Sequence, residues 1–190
     1  FNKPTLIFPS TTLGHLSTIP ILIQENDAVI LDQQAHVSMQ EISEKLILKG
    51  IPVTKLRHNR LDELEKKVQE MNPYHDKIWY FIDGVYSMYG DIAPLTEIEH
   101  LLNKHPKLYL YADDAHGMSW AGKNGAGSLL SQIDFHPKMV MATSLSKSFA
   151  AGGGAISFSN EDWYWRVKNW GGPLTYSGPQ QPSVVGAMLA

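Results

Sequence analysis

Leu108-Tyr109-Leu110-Tyr111-Ala112-Asp113-Asp114-Ala115-His116-Gly117 joins an apolar, aromatic run to a short acidic loop that ends in histidine and glycine. A run of this length and composition, closed by turn-forming residues, reads as a strand buried on both faces, Leu108–Ala112. Outward from it the same pattern recurs at Ala28–Leu31, Pro52–Leu56, Ile78–Ile82, Met139–Ala142 and Ala155–Phe158. Between these runs, apolar residues repeat at helical spacing over Met39–Leu48, Leu61–Met71, Leu95–Asn103 and Glu161–Trp170. Asn59 is placed to cap the second of these helices, and Pro94 leads into the third. Strands alternating with helices predict βαβ units. The expected fold is α/β, a three-layer sandwich around a mostly parallel sheet, with one domain over residues 1–190.

The bulk properties exclude several functions. The chain has 190 residues, 43% of them hydrophobic, which is enough for one substantial core without disulfides or metals. A net charge of −3 supplies no basic field for nucleic acid or anionic lipid. Cysteine is absent, so disulfide and thiolate chemistry are unavailable, and a reducing cytoplasmic setting is compatible. No apolar stretch is long enough to span a bilayer, so no membrane partner is expected and the reading is of a soluble, cytoplasmic protein. The chain opens on Phe1, and Val184–Ala190 reads as a helix without a cap. Both ends suggest a fragment of a longer protein.

In an open parallel sheet, ligands bind in the loops at the carboxyl ends of the strands. Those loops carry His36, then Asp83 to Ser87, then Asp113, Asp114 and His116, and finally Ser144, Ser146 and Lys147. A partly buried lysine is a nucleophile toward aldehydes, and the small residues around Lys147 would admit a flat ring. Taken alone, Lys147 reads more readily as a surface loop lysine. Asp113, at the end of a buried strand, can pair with a protonated pyridine nitrogen, or it can simply cap the next turn. His116, three residues on, can reach another ring substituent or serve the loop. His36 can stack on a planar group, although a lone loop histidine is more often structural. The histidines and carboxylates also suit a metal, but no ligand spacing supports one. The glycines Gly117, Gly122, Gly125 and Gly127 fit neither a dinucleotide nor a P-loop pattern. Trp163, Tyr164, Trp165 and Trp170 read as core or subunit interface.

Three stretches, in order, resemble the α-oxoamine synthases, a group of fold-type-I pyridoxal-phosphate (PLP) enzymes related to class I/II aminotransferases. Asp83-Gly84-Val85-Tyr86-Ser87-Met88-Tyr89-Gly90-Asp91-Ile92-Ala93-Pro94-Leu95 is similar to that group's E-G-x-x-S-M-x-G-D-x-A-P-L. Asp113-Asp114-Ala115-His116-Gly117 is the second, and Ser144-Leu145-Ser146-Lys147 with Gly152-Gly153-Gly154 is the third. The resemblance covers essentially the whole chain. It implies the PLP-binding large domain of the fold-type-I architecture, without the N-terminal segment and C-terminal domain. Lys147 would form the Schiff base, Asp113 would pair with the ring nitrogen and His36 would stack on the ring. His116 and Ser87 would lie near the phenolic oxygen, with Ser144 and Ser146 near the phosphate. Phe8-Pro9-Ser10-Thr11-Thr12-Leu13-Gly14-His15 falls where the group has F-x-S-G-Y-x-A-N, so Thr11 and Thr12 would contribute to the phosphate site and His15 stands in place of asparagine. Asp83 replaces a glutamate and Tyr89 an acidic residue.

The implied reaction joins a small amino acid to an acyl-CoA thioester, usually with decarboxylation, giving an α-amino ketone and free CoA. Lys147 would remove the Cα proton. The implied assembly is a homodimer. The alternatives are transamination or elimination on the same fold, or a non-catalytic partner subunit, which Lys147 argues against.

Overall fold

Strands β4 (Ile78–Asp83) and β5 (Leu108–Asp113) form the centre of the sheet, paired in parallel with Asp83 directly opposite Asp113. This computed structural model describes residues 2–190, so Phe1 and the expectation attached to it lie outside the described residues. Around the centre run β1 (Thr5–Phe8), β2 (Ala28–Asp32), β3 (Val53–Leu56), β6 (Met139–Ser144) and β7 (Gly154–Phe158), in the spatial order β1-β7-β6-β5-β4-β2-β3. Strands β2 to β6 are parallel, while β7 runs antiparallel to β6 and β1 antiparallel to β7. The carboxyl ends of β1 to β6 and the start of β7 therefore share one edge. That edge holds every loop singled out for chemistry.

Side chains alternate across the strands and build a core on each face. On one face Val29, Leu31, Trp79, Phe81 and Tyr111 pack against α1 (Thr11–Leu22), α2 (Val37–Leu48) and α6 (Glu161–Trp170). On the other, Ile30, Tyr80, Ile82, Leu110 and Met141 meet α3 (Leu61–Met71), α4 (Leu95–Lys104) and α5 (Leu129–Gln132). The short α7 (Gly172–Tyr176) and α8 (Pro182–Leu189) complete the order. Phe81 is fully buried, and Phe81→Ala would cost about 3–5 kcal/mol from lost transfer energy and the cavity left behind. Three layers with one central sheet are as expected.

Local structure departs from the sequence expectation at Asn59. Asn59 does not cap α3: it adopts a left-handed conformation (φ 52°), and Arg60 is the flanking residue, with no side-chain cap. The Asn59 amide instead donates to Asp32 Oδ2 (2.9 Å), which bends the chain between β3 and α3. Trp163 is core, packed on Trp79 and Tyr109, whereas Trp165 and Trp170 are exposed. Among the described residues no helix is long and apolar enough to cross a membrane.

Candidate active site

α1 enters the site edge at its N-terminus. Ser10 caps it by accepting the Leu13 amide at 3.2 Å, and the Thr11 hydroxyl donates to the Thr143 carbonyl at 3.1 Å. The close approach of α1 to β7 requires a glycine at 154, because a Cβ there would lie 2.6 Å from the Thr11 nitrogen. The first-turn amides of Thr11 and Thr12 have no acceptor within the helix and carry its positive end.

A pocket of about 150 Å³ opens beside that helix end, lined by Thr11, Thr12, His36, Asp113, Ser144, Ser146 and Lys147, among others. His116 joins it through Lys147, whose Nζ lies 2.6 Å from His116 Nε2. Partial burial lowers the Lys147 amine pKa, against the opposing pull of Asp113 and Asp83. Burial likewise lowers His116 and His36, so both imidazoles are neutral near pH 7 and His116 can accept from the lysine. His36 also fixes its own ring, with Nδ1 2.7 Å from Ser38 Oγ.

Asp113 is buried at the pocket wall. Its Oδ1 accepts the Ala115 amide at 2.9 Å, and its Oδ2 lies 2.9 Å from His15 Nε2. Burial works against the charge, but His15 and the Ala115 amide outweigh it and hold the carboxyl below the ordinary range. Asp83, its neighbour across the strand pair, goes the other way. Burial, followed by the Asp113 charge, pushes Asp83 up to about 8, while its Oδ1 accepts the His36 amide at 3.0 Å. Two facing carboxyls thus share one negative charge near neutral pH.

Of the residues singled out from sequence, Lys147, Asp113, His36, Ser144, Ser146, Thr11 and Thr12 come together, with His116 in contact. Ser87 does not line this pocket: it is exposed on the loop after β4 and lines an adjoining one with His36 and Tyr86. Ser10, Ser38 and His15 also line the pocket, outside the residues singled out from sequence. The signal for His15 was its place at the end of the Phe8–His15 stretch, where the similar group has asparagine.

A model of the aminotransferase class I and II family matches residues 1–190, and the chain belongs to that family. Within it, the similar relatives bear names of the α-oxoamine synthase group, as the motifs implied. An 8-amino-7-oxononanoate synthase of Marinomonas sp. (strain MWYL1) is 30% identical over 97% of this chain and 44% of its own length. A serine palmitoyltransferase of Sphingomonas paucimobilis is 32% identical over 95% of this chain and 41% of its own. The solved Sphingomonas wittichii serine palmitoyltransferase superposes with a TM-score of 0.83 at 26% identity, covering 97% of this chain and 45% of that one. A variant of the S. paucimobilis enzyme with a bound PLP-myriocin aldimine gives 0.82 at 27%, covering 97% and 46%. The chain spans less than half the length of these relatives.

Proposed function

We propose that this chain is the PLP-binding large domain of an enzyme that condenses a small amino acid with an acyl-CoA thioester, releasing CoA and, after decarboxylation, an α-amino ketone. One observation carries the reading: Lys147 and the anionic Asp113 line a single pocket that also contains the hydroxyl-rich N-terminus of α1. This donor set fits PLP. A lysine amine is available for the aldehyde, a carboxylate with free acceptor capacity for the ring nitrogen, and helix amides with Thr11, Thr12, Ser144 and Ser146 for the phosphate. His36, which lines the same pocket, would cover a ring face.

When bound, the cofactor supplies an electron sink for a carbanion at the amino acid's Cα. The chain's own residues do the rest. Lys147 Nζ, with its lowered pKa, takes the Cα proton, and neutral His116 Nε2 orients that amine. Asp113 would pair with the protonated ring nitrogen, and the N-terminus of α1 would hold the phosphate. Likeness to relatives named 8-amino-7-oxononanoate synthase and serine palmitoyltransferase supports the acyl-transfer reading over transamination or elimination. A homodimer in the cytoplasm remains part of this proposal.

The test supplies glycine, alanine or serine with a series of acyl-CoAs to the full-length protein and follows free CoA. Release that falls by about 10²-fold or more in Lys147→Ala is expected. Keto-acid exchange without CoA release would refute the acyltransferase reading.

A further inference from the structure

His15 lies on the second turn of α1, wholly buried, with both ring nitrogens engaged. Nε2 is 2.9 Å from Asp113 Oδ2, and Nδ1 is 2.8 Å from the Tyr111 hydroxyl. The partners decide which nitrogen carries the hydrogen. A carboxylate only accepts, so Nε2 is the donor. The Tyr111 hydroxyl, kept protonated by burial and by the nearby Asp113 charge, is the hydrogen-bond partner of Nδ1. The result is a hydrogen-bonded chain that links Tyr111, His15 and Asp113. With the Ala115 amide on Oδ1 and His15 on Oδ2, one donor pins each carboxylate oxygen. A carboxylate has about four acceptor positions, so capacity remains for a donor in the pocket.

We propose that His15, bridging Tyr111 and Asp113, is a positioning residue that keeps Asp113 an oriented anion for the ring nitrogen of PLP. The inference rests on the function proposed above. His15 lines the pocket but acts through Asp113, and no other side chain reaches the Asp113 carboxylate among the described residues. Lys147, His36, Asp83 and His116 are the other titratable groups around the same pocket.

The test is a pH titration of the visible absorbance of PLP-reconstituted wild type, H15M, H15Q and Y111F, with thermal unfolding to check the fold. A protonated ring nitrogen disfavours a second positive charge on the Lys147-bound group, so weakening the hold of Asp113 raises the midpoint. H15M should raise it by about one pH unit, a tenfold change in proton concentration. H15Q should stay close to wild type, because its amide N–H can replace Nε2–H. Y111F should fall between them. Equal midpoints for wild type and H15M would overturn the inference, as would H15Q moving as far as H15M. If H15M does not fold, long-range ¹⁵N–¹H spectra of wild type without cofactor decide: a hydrogen on Nε2 is expected and a bare Nε2 overturns. Wild type lacking any Lys147-dependent visible band, with the His15 spectrum as expected, would instead refute the proposed function.

Discussion

Two histidine–aspartate clusters sit on the same sheet edge, and they differ in what surrounds the ring. His15 has one carboxylate, Asp113, and one hydroxyl, Tyr111, and is sealed from water. His58, at the end of β3, has two carboxylates: Asp32 Oδ1 lies 2.9 Å from Nδ1, and Asp91 contacts Nε2. A carboxylate on each nitrogen requires two N–H donors, hence an imidazolium. Burial opposes that charge, yet the hydrogen bonds to Asp32 and Asp91 win and raise the His58 pKa. His15 faces a single carboxylate, with a hydroxyl on its other nitrogen, and Asp113 is held as an anion. One cluster holds a carboxylate at the wall of the pocket. The other pairs one imidazolium with two carboxylates and ties the loop after β4 to the ends of β2 and β3.

This contrast can be broken by mutation, beginning with the largest effect. Asp32 is fully buried and accepts the Gln34 amide, the Asn59 amide and His58 Nδ1. Asp32→Ala strands three donors and should lower stability to denaturant by about 3 kcal/mol or more. The folded fraction should still take up PLP. Loss of uptake by folded D32A would show that the two clusters are not separable.

The next effect comes from Asp83. Its folded pKa of about 8 lies above its ordinary 3.8, so it favours the fold when protonated. That contribution is complete below the unfolded pKa and is lost as pH rises through about 8. D83N keeps an oxygen for the His36 amide and removes the titration. Near pH 9 it should melt above wild type by about 5 °C, with the gap closing toward pH 4. A gap independent of pH would remove the charge-sharing between Asp83 and Asp113.

The smallest effect belongs to His58. A raised histidine pKa means that its contribution is present below about 6.5 and lost as pH climbs through the higher folded value. Wild-type Tm should therefore fall from pH 6 to pH 9 by more than that of H58Q, compared on the D83N background. Parallel curves would mean that His58 is not an imidazolium.

The sheet was legible because its strands are short apolar runs between turn residues, and Ile78–Ile82 and Leu108–Ala112 needed no context. β1 and α1 were not read from pattern. Thr5–Phe8 is a four-residue edge strand with only Leu6 and Phe8 buried, too short to distinguish from loop. α1 contains Gly14 and Pro20, both helix-breaking signals, and it is buried on several sides, so no polar stripe reveals its period. Asn59 is not a cap because its backbone is left-handed, with its N–H held by Asp32 from far away in sequence, and the helix starts one residue later. Lys147, Asp113 and His36 were legible because each follows a readable strand on the edge where ligands bind. The pairing of His15 with Asp113 spans 98 residues, and no local signal carries it.

The central claim, that Lys147 is the residue joined to PLP, is tested most directly by covalent capture. Reconstituted full-length protein is treated with borohydride, digested and analysed by mass spectrometry. Phosphopyridoxyl is expected on the peptide containing Lys147, and none in Lys147→Ala. Label on another lysine, or wild type left unlabelled despite PLP in solution, would contradict it.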